Sequence, residues 1–310
     1  MKEILRKLLP YLCFVALFLL LSALSPYFLT LANLSTVARQ TAVINIIAIG
    51  MTLVIISGGV DLSVGSVLAL TGVCGTLLME KGVPMFPATL LGILAGSTWG
   101  LLTGFVITLF RVPAFIATLG GLGMARGLTL LITDGRPVTD IPKEFGRLGD
   151  GNFLNIIPIP VVILMGVAGL MSYVLRYTRL GRYAYAMGGN RQAAYLSGVN
   201  LTLCSLSFYA ILGALTGLAG MIESSRLITG QPTAGEGYEL RAIAAVVIGG
   251  GSLNGGAGSV SGTTIAAFIM SLLSNGCNLL GISPFIQQIL IGAIIVLAVA
   301  VDEYRRRKVG

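Results

Sequence analysis

The chain has 310 residues, 55% of them hydrophobic and 10% charged, with a mean hydropathy of +0.92. Soluble globular domains carry about 25% charged residues, so this sequence cannot cover a water-facing surface and reads as a helical membrane protein. The net charge of +8 lies in short loops and at the chain ends, a pattern that fits the positive-inside rule and not a nucleic-acid footprint.

The opening "MKEILRKLLPYLCFVALFLLLSALSPYF" begins with Lys2, Arg6 and Lys7. Its apolar stretch of roughly 20 residues exceeds the h-region of a signal peptide, about 7–15. It therefore reads as a first span, 8–28. From Thr41 to Met79 the only charged residue is Asp61. As one helix that run would reach about 58 Å, nearly two bilayer crossings. A break at "SGGVD" resolves this into spans 40–57 and 62–79. Gly58 and Gly59 interrupt the first helix, and Asp61 or Ser63 caps the amides of the next. A carboxylate inside a membrane is also a functional group by default, so Asp61 is either a bend-and-cap residue or a site in the pathway.

Spans 88–110 and 112–132 follow, then a loop over 133–155. The loop mixes Asp134, Asp140, Glu144 and Asp150 with Arg136, Lys143 and Arg147. A span at 156–176 leads to the longest polar interruption, 177–203, and then to a span at 204–223. Segment 226–240 is a second outer loop. The apolar run 240–250 is too short to cross a bilayer, so it either extends into its flanks or is broken and re-entrant. Spans 259–280 and 284–301 complete the chain. Ten spans put both termini inside, with Lys2, Arg6, Lys7, Arg111, Arg176, Arg179, Arg182, Arg191 and Arg305 to Lys308 on the cytoplasmic side. Eight spans stay open if the weak segments are re-entrant.

"VIISGGVDLSVGSV" (Val54 to Val67) is weakly echoed by "VVIGGGSLNGGAGSV" (Val246 to Val260). Glycine-interrupted segments in two halves of a transporter often mark its pathway, but here both face the same side. No Lys is followed by Ser or Thr, so a Walker A phosphate loop is absent, and there is no complete GxGxxG. There is no histidine, which removes His-based catalysis and His metal ligands. Cys13, Cys74, Cys204 and Cys277 lie apart in apolar segments and read as buried hydrophobes. Ionisable residues inside spans would mark an ion-coupled carrier. Asp61 and Arg126 are the candidates, with Glu223 near a span end, although Arg126 also suits a helix-end arginine that snorkels or pairs with Asp134.

Within the polar interruption, "RQAAYLSG" (Arg191 to Gly198) suits a short helix ended by Gly198. Its small alanines let a partner's groove approach closely. An ordinary interfacial helix at the headgroups is the other reading.

That motif resembles the Glu-Ala-Ala-x-x-x-Gly pattern of ABC-importer permeases, with Gln192 in place of Glu. The surrounding "TRLGRYAYAMGGNRQAAYLSGVN" is similar to the monosaccharide class, the ribose, xylose, arabinose and galactoside permeases. "MTLVIISGGVDLSVGSVLALTG", "PAFIATLG", "QPTAGEGYEL", "AIAAVVIGGGSLNGGAGSVSGT" and "NLLGISPFIQQILIGAIIVLAV" extend the resemblance over nearly the whole chain in the expected order. The likeness to ribose permeases is greatest at "DLSVGSVLALTG" and "QPTAGEGYEL". The resemblance implies an all-α polytopic permease of the bacterial inner membrane, a single domain over 1–310. It would be the pathway subunit of an importer of ribose or a similar sugar. Partners would be a second permease copy, an ABC ATPase that uses ATP and Mg, and a periplasmic sugar-binding protein. This chain would bind no cofactor itself. Gly189, Asn190, Gln192, Ala193, Ala194 and Gly198 would dock the ATPase. Asn45, Phe115 and Thr118 are pathway candidates, or helix-packing residues. Glu236 and Glu239 are candidate contacts for the binding protein. Gln192, Arg241 and Ala257 depart from the family pattern. An ion-coupled secondary carrier of a small polar solute is the alternative function.

Overall fold

A computed structural model describes residues 2–307. The basic side chains at Lys2, Arg6 and Lys7 and in the run Arg305 to Lys308 lie outside those described. The helices in chain order are α1 (Lys2–Leu24), α2 (Leu31–Ile56), α3 (Val64–Glu80), α4 (Met85–Leu109), α5 (Ala114–Thr133), α6 (Gly146–Asp150), α7 (Ile159–Tyr177), α8 (Arg179–Gly189), α9 (Arg191–Leu196), α10 (Leu201–Leu227), α11 (Tyr238–Ile248), α12 (Val260–Leu279) and α13 (Pro284–Arg307). A short antiparallel hairpin, β1 (Asn152–Phe153) with β2 (Ile157–Pro158), lies between α6 and α7. Among the described residues, six helices are long and apolar enough to cross a membrane: α2, α4, α5, α7, α10 and α12. Apolar stretches in α1, α3 and α13 are shorter.

The centre of the molecule is α2. It is apolar on all sides and buried without interruption from Thr41 to Ile56, as a helix lacking a polar face must be. Its polar side chains find partners on α12. Asn45 Nδ2 donates to the Thr264 carbonyl at 3.2 Å, and the Thr52 and Thr263 hydroxyls are 2.8 Å apart.

Between α4 and α10 the packing is set by glycine. Gly92, Gly96, Gly100 and Gly104 recur every fourth residue on α4 and form its buried stripe. A β-carbon on Gly96 or Gly100 would collide with the backbone of Gly213 or Tyr209 on α10, and one on Gly213 would collide with Gly96. Helices in lipid gain little from hydrophobic burial against each other, so close backbone approach at small residues carries their association.

Two long apolar stretches are broken, and the breaks lie against each other. α2 stops in a Schellman motif. Gly58 N–H donates to the Ile55 carbonyl at 2.9 Å, Gly59 N–H donates to the Val54 carbonyl at 3.0 Å, and Gly58 takes φ +84°. Residues 57–63 then run as irregular chain to α3. The second break is the short segment at 240–250. It is a broken element: α11 has 11 residues, preceded by irregular chain from Thr229 to Gly237. That chain lies along α3. Gly230 packs on Thr76, and Gly235 packs on Gly65, points separated by about 16 Å of helix rise. The five-residue link between them includes a turn, Ala234 N–H donating to the Gln231 carbonyl at 3.1 Å. We call 229–237 the strap.

Candidate functional site

Two regions carry chemistry. The first is the end of the bundle formed by α8 and α9. Asn190 is the N-cap of α9, its Oδ1 accepting from Ala193 N–H at 2.9 Å. The helix closes in a second Schellman motif: Gly198 N–H donates to the Tyr195 carbonyl at 3.0 Å and Val199 N–H to the Ala194 carbonyl at 3.1 Å. Gly198 has φ +83°, a conformation that costs other residues about 1–2 kcal/mol. Ala194 and Val199 point inward and anchor the helix, while Gln192, Ala193, Ser197 and Gly198 are exposed. Tyr195 is 65% exposed and Leu196 77%. A six-residue helix thus presents a small apolar surface rigidly held at both ends.

This surface is wired into the core by glycine contacts. Gly188, just before the exposed Gly189, sits against the Ile56 carbonyl and Gly256 N–H, which bond to each other at 2.8 Å. Gly255 packs on Gly188 and Gly58. Tyr185 Oη donates to the Gly258 carbonyl at 2.9 Å. The weak sequence echo gains a physical meaning here. α11 ends as α2 does, Gly250 N–H bonding Val247 and Gly251 N–H bonding Val246, so the repeated "GG" is the same helix stop used twice. The loops that follow meet beneath α8. Beside them, a cavity of about 910 Å³ opens between the α4–α5 turn and α9, lined among others by Ser57, Gly59, Arg111, Arg191, Tyr195 and Tyr209.

The second region is interior, at the start of α3. Asp61 is 3% exposed, and its Oδ1 accepts from Ser63 N–H at 2.7 Å and from Ser63 Oγ at 2.6 Å. The carboxylate therefore folds the turn that starts α3, while Ser63 makes no side-chain cap. Tyr209 Oη, on α10, donates to the Val60 carbonyl at 3.2 Å and packs on Gly59. Glu239, in the first turn of α11, lies against Gly65 of α3. Arg126 projects from α5, donating from Nη2 to the Ala234 carbonyl at 3.0 Å and from Nη1 to the Pro232 carbonyl. Glu223 is held by Arg226 at 2.7 Å.

The residues singled out in the sequence fall in different places. Gly189 to Gly198 form the exposed helix. Gly58, Gly59, Asp61 and Ser63 form the first break. Asn45 is fully buried on α2, and Thr118 is fully buried with its hydroxyl donating to the Ala114 carbonyl at 2.9 Å. Phe115 is 53% exposed on the open face of α5. Glu236 is exposed, near the C-terminal end of the strap, and Glu239 is half-buried in the first turn of α11. Arg126 has no ion pair with Asp134, whose backbone instead takes φ 49° to end α5. Sequence reading passed over Tyr185, Tyr209 and Gly188, which bind by contacts that no local motif announces. For the strap a signal existed: "QPTAGEG" is a poor helix former.

The described residues thus form a helical bundle with six helices of membrane-crossing length, broken interior elements and an exposed helix at one end. The chain belongs to the family described as branched-chain amino acid transport system / permease component, whose model matches residues 33–299. It is 46% identical over 297 residues to the ribose import permease protein RbsC of Escherichia coli K12, covering 94% of this chain and 92% of that one. It is 43% identical to RbsC of Bacillus subtilis 168, covering 96% and 93%. The D-allose transport system permease protein AlsC of Escherichia coli K12 is 36% identical, covering 90% and 86%. No solved structure matches the chain.

Proposed function

We propose that this chain is the membrane-spanning subunit of an ATP-driven importer of a monosaccharide, ribose foremost. The carrying observation is its 43–46% identity to ribose import permeases from both Escherichia coli and Bacillus subtilis over more than nine-tenths of its length. In this reading the α8–α9 end faces the cytoplasm, both termini lie inside, and ten membrane elements include α1, α3, α13 and the strap with α11. Helix α9, with Asn190 capping it and Gln192, Ala193 and Gly198 on its surface, docks in a groove of the ABC ATPase. ATP and Mg are handled there, and this chain supplies none of the phosphate-binding groups. Motion of α9 passes through Gly188 to the end of α2 and the glycine loop at 255–258, because those backbones touch without intervening side chains. ATP binding shifts the access equilibrium only insofar as the ATPase grips the two states differently.

Loop 133–155 is the surface offered to a periplasmic sugar-binding protein. It is braced from within: Arg39 pairs with Asp150 at 3.3 Å, and Gly149 N–H donates to Ser225 Oγ at 2.7 Å. Glu236, exposed, and Glu239, half-buried, stand two and five residues past the Ala234 carbonyl that Arg126 holds. A second copy of the chain completes the pathway. On α5, Gly120, Gly123 and Gly127 have open space beside them, and Phe115 shares that unpartnered helix surface. We assign it to the pathway and the copy-to-copy contact, with Thr118 and Asn45 packing behind.

The test is reconstitution in liposomes with the ATPase and the binding protein. ATP-dependent ribose uptake is expected. Uptake by this chain alone, driven by a proton or sodium gradient, would overturn the reading.

A further inference from the structure

Arg126 is the one residue on α5 that reaches the strap through a charged side chain. A chain segment that is neither helix nor sheet leaves its carbonyls without partners. In an apolar surrounding each costs several kcal/mol unless protein or water satisfies it. Pro232 and Ala234 are two such groups, and the guanidinium of Arg126 meets both. They stand two residues apart, in a turn closed by Ala234 N–H donating to the Gln231 carbonyl at 3.1 Å. A planar fork spans that pair, which the point charge of lysine would not do equally well.

A second tie lies above it. Val138, five residues past the end of α5, exchanges backbone hydrogen bonds with Gly230, at 3.0 and 2.9 Å. The strap is thus fastened to α5 and its exit at two levels, while its other side rests on α3 through Gly230 on Thr76 and Gly235 on Gly65. α5 itself is held by one buried stripe, Thr118, Gly121, Ala125 and Thr129. If α5 moves relative to α3, either the strap leaves α3 or the Arg126 bonds break. At Gly235 the contact with α3 is backbone against the backbone of Gly65, and at Gly230 it is backbone against the Thr76 side chain, whereas the Arg126 bonds end in a long flexible side chain. A second set of partners stands ready. Glu236 and Glu239 follow the Ala234 carbonyl held by Arg126 by two and five residues, and neither is ion-paired to Arg126 among the described residues.

We propose that Arg126 is a positioning residue for transport: it clamps the strap in the state seen here, and opening of the pathway on the strap side passes its guanidinium from the Pro232 and Ala234 carbonyls to the carboxylates of Glu236 and Glu239. The proposal rests on the importer reading.

It is tested in the reconstituted complex with ATPase and binding protein. Ala234→Cys, on a background free of the four native cysteines, keeps the backbone carbonyl and reports exposure to a membrane-impermeant maleimide. Its labelling rate is expected to differ about tenfold between the nucleotide-free and vanadate-trapped complexes, the size of an ordinary coupling energy. Adding Arg126→Met should flatten that difference. Arg126→Met and Arg126→Lys should each lower the sugar moved per ATP hydrolysed by about tenfold. Equal labelling in both states overturns the clamp, and so does full rescue by lysine, which would show that charge alone acts. If Arg126→Met fails to assemble, labelling with Arg126 intact still decides. If the unsubstituted complex imports no sugar, it is the importer reading that falls.

Discussion

Asp61 illustrates how a single side chain changes meaning with its surroundings. Read in sequence, it is a lone carboxylate in an apolar run. In the fold its Oδ1 binds the amide and hydroxyl of Ser63, fixing the turn from which α3 departs. Asparagine offers the same acceptor oxygen. Asp61→Asn should therefore leave sugar uptake within about twofold of normal, whereas Asp61→Ala, which removes the acceptor, should lower stability by about 1–2 kcal/mol, as loss of a helix-start acceptor does. Uptake assays with a thermal unfolding series in detergent check both. Abolished uptake in a normally folded Asp61→Asn protein would return the carboxylate to the pathway. Leu196 makes the complementary point on the surface. It is 77% exposed and touches little of its own chain, so Leu196→Asp should leave the unfolding temperature unchanged. It should weaken binding to the ATPase about tenfold or more, each tenfold being 1.4 kcal/mol. Co-purification from detergent measures this.

Elements are positioned here by what their backbones permit. The α4–α10 seam closes because four glycines stand at intervals of four on one helix and meet glycine and backbone on the other. Gly100→Leu should force these helices apart and cost about 1–3 kcal/mol or more, the usual penalty of overpacking. Gly123→Leu, on the same scale of side-chain change but beside open space, should leave the stability of the single chain unaltered. A paired unfolding measurement separates a glycine needed for packing from one that is merely present. The same logic accounts for the two helix stops. Gly58 and Gly250 take φ +84° and +91°, and the turns they make bring the loops after α2 and α11 together under α8.

At the scale of the whole molecule, the exposed α9 and the loop 133–155 lie at opposite ends of the bundle in the proposed topology, and the breaks lie between. Single cysteines placed at Ser197 and at Glu144 should show this directly. In sealed right-side-out vesicles, an impermeant reagent should label the cysteine at 144 and spare the one at 197 until the membrane is opened. Labelling of both from outside would reverse the proposed orientation of α9. The interior then works as two fastened halves. α8 and α9 pack on the end of α2 and the glycine loop, and the strap ties α5 to α3 through the Arg126 side chain and its own contacts with α3.

Much of this was legible in the chain itself. Apolar runs bounded by charge and proline fix where helices lie, because a helix in lipid must be about 20 apolar residues long. The break at "SGGVD" followed from length alone, since no single helix of that extent fits a bilayer. "RQAAYLSG" carried its own stop at Gly198, while the cap that starts the helix, Asn190, precedes it. The course of 229–237 was not legible. Whether a short apolar segment extends into its flanks or descends as open chain depends on the presence of a second wall to satisfy its carbonyls. That wall is Arg126, more than a hundred residues earlier in the chain. Nor could sequence show that Asn45 and Thr118 face helices while Phe115 faces open space, because apolar spans have no polar side to betray their rotation. Local length, composition and glycine placement determined which segments are helical and where they stop. Only the tertiary structure decided which breaks meet and which polar groups satisfy them, because those pairings join residues that no local rule connects.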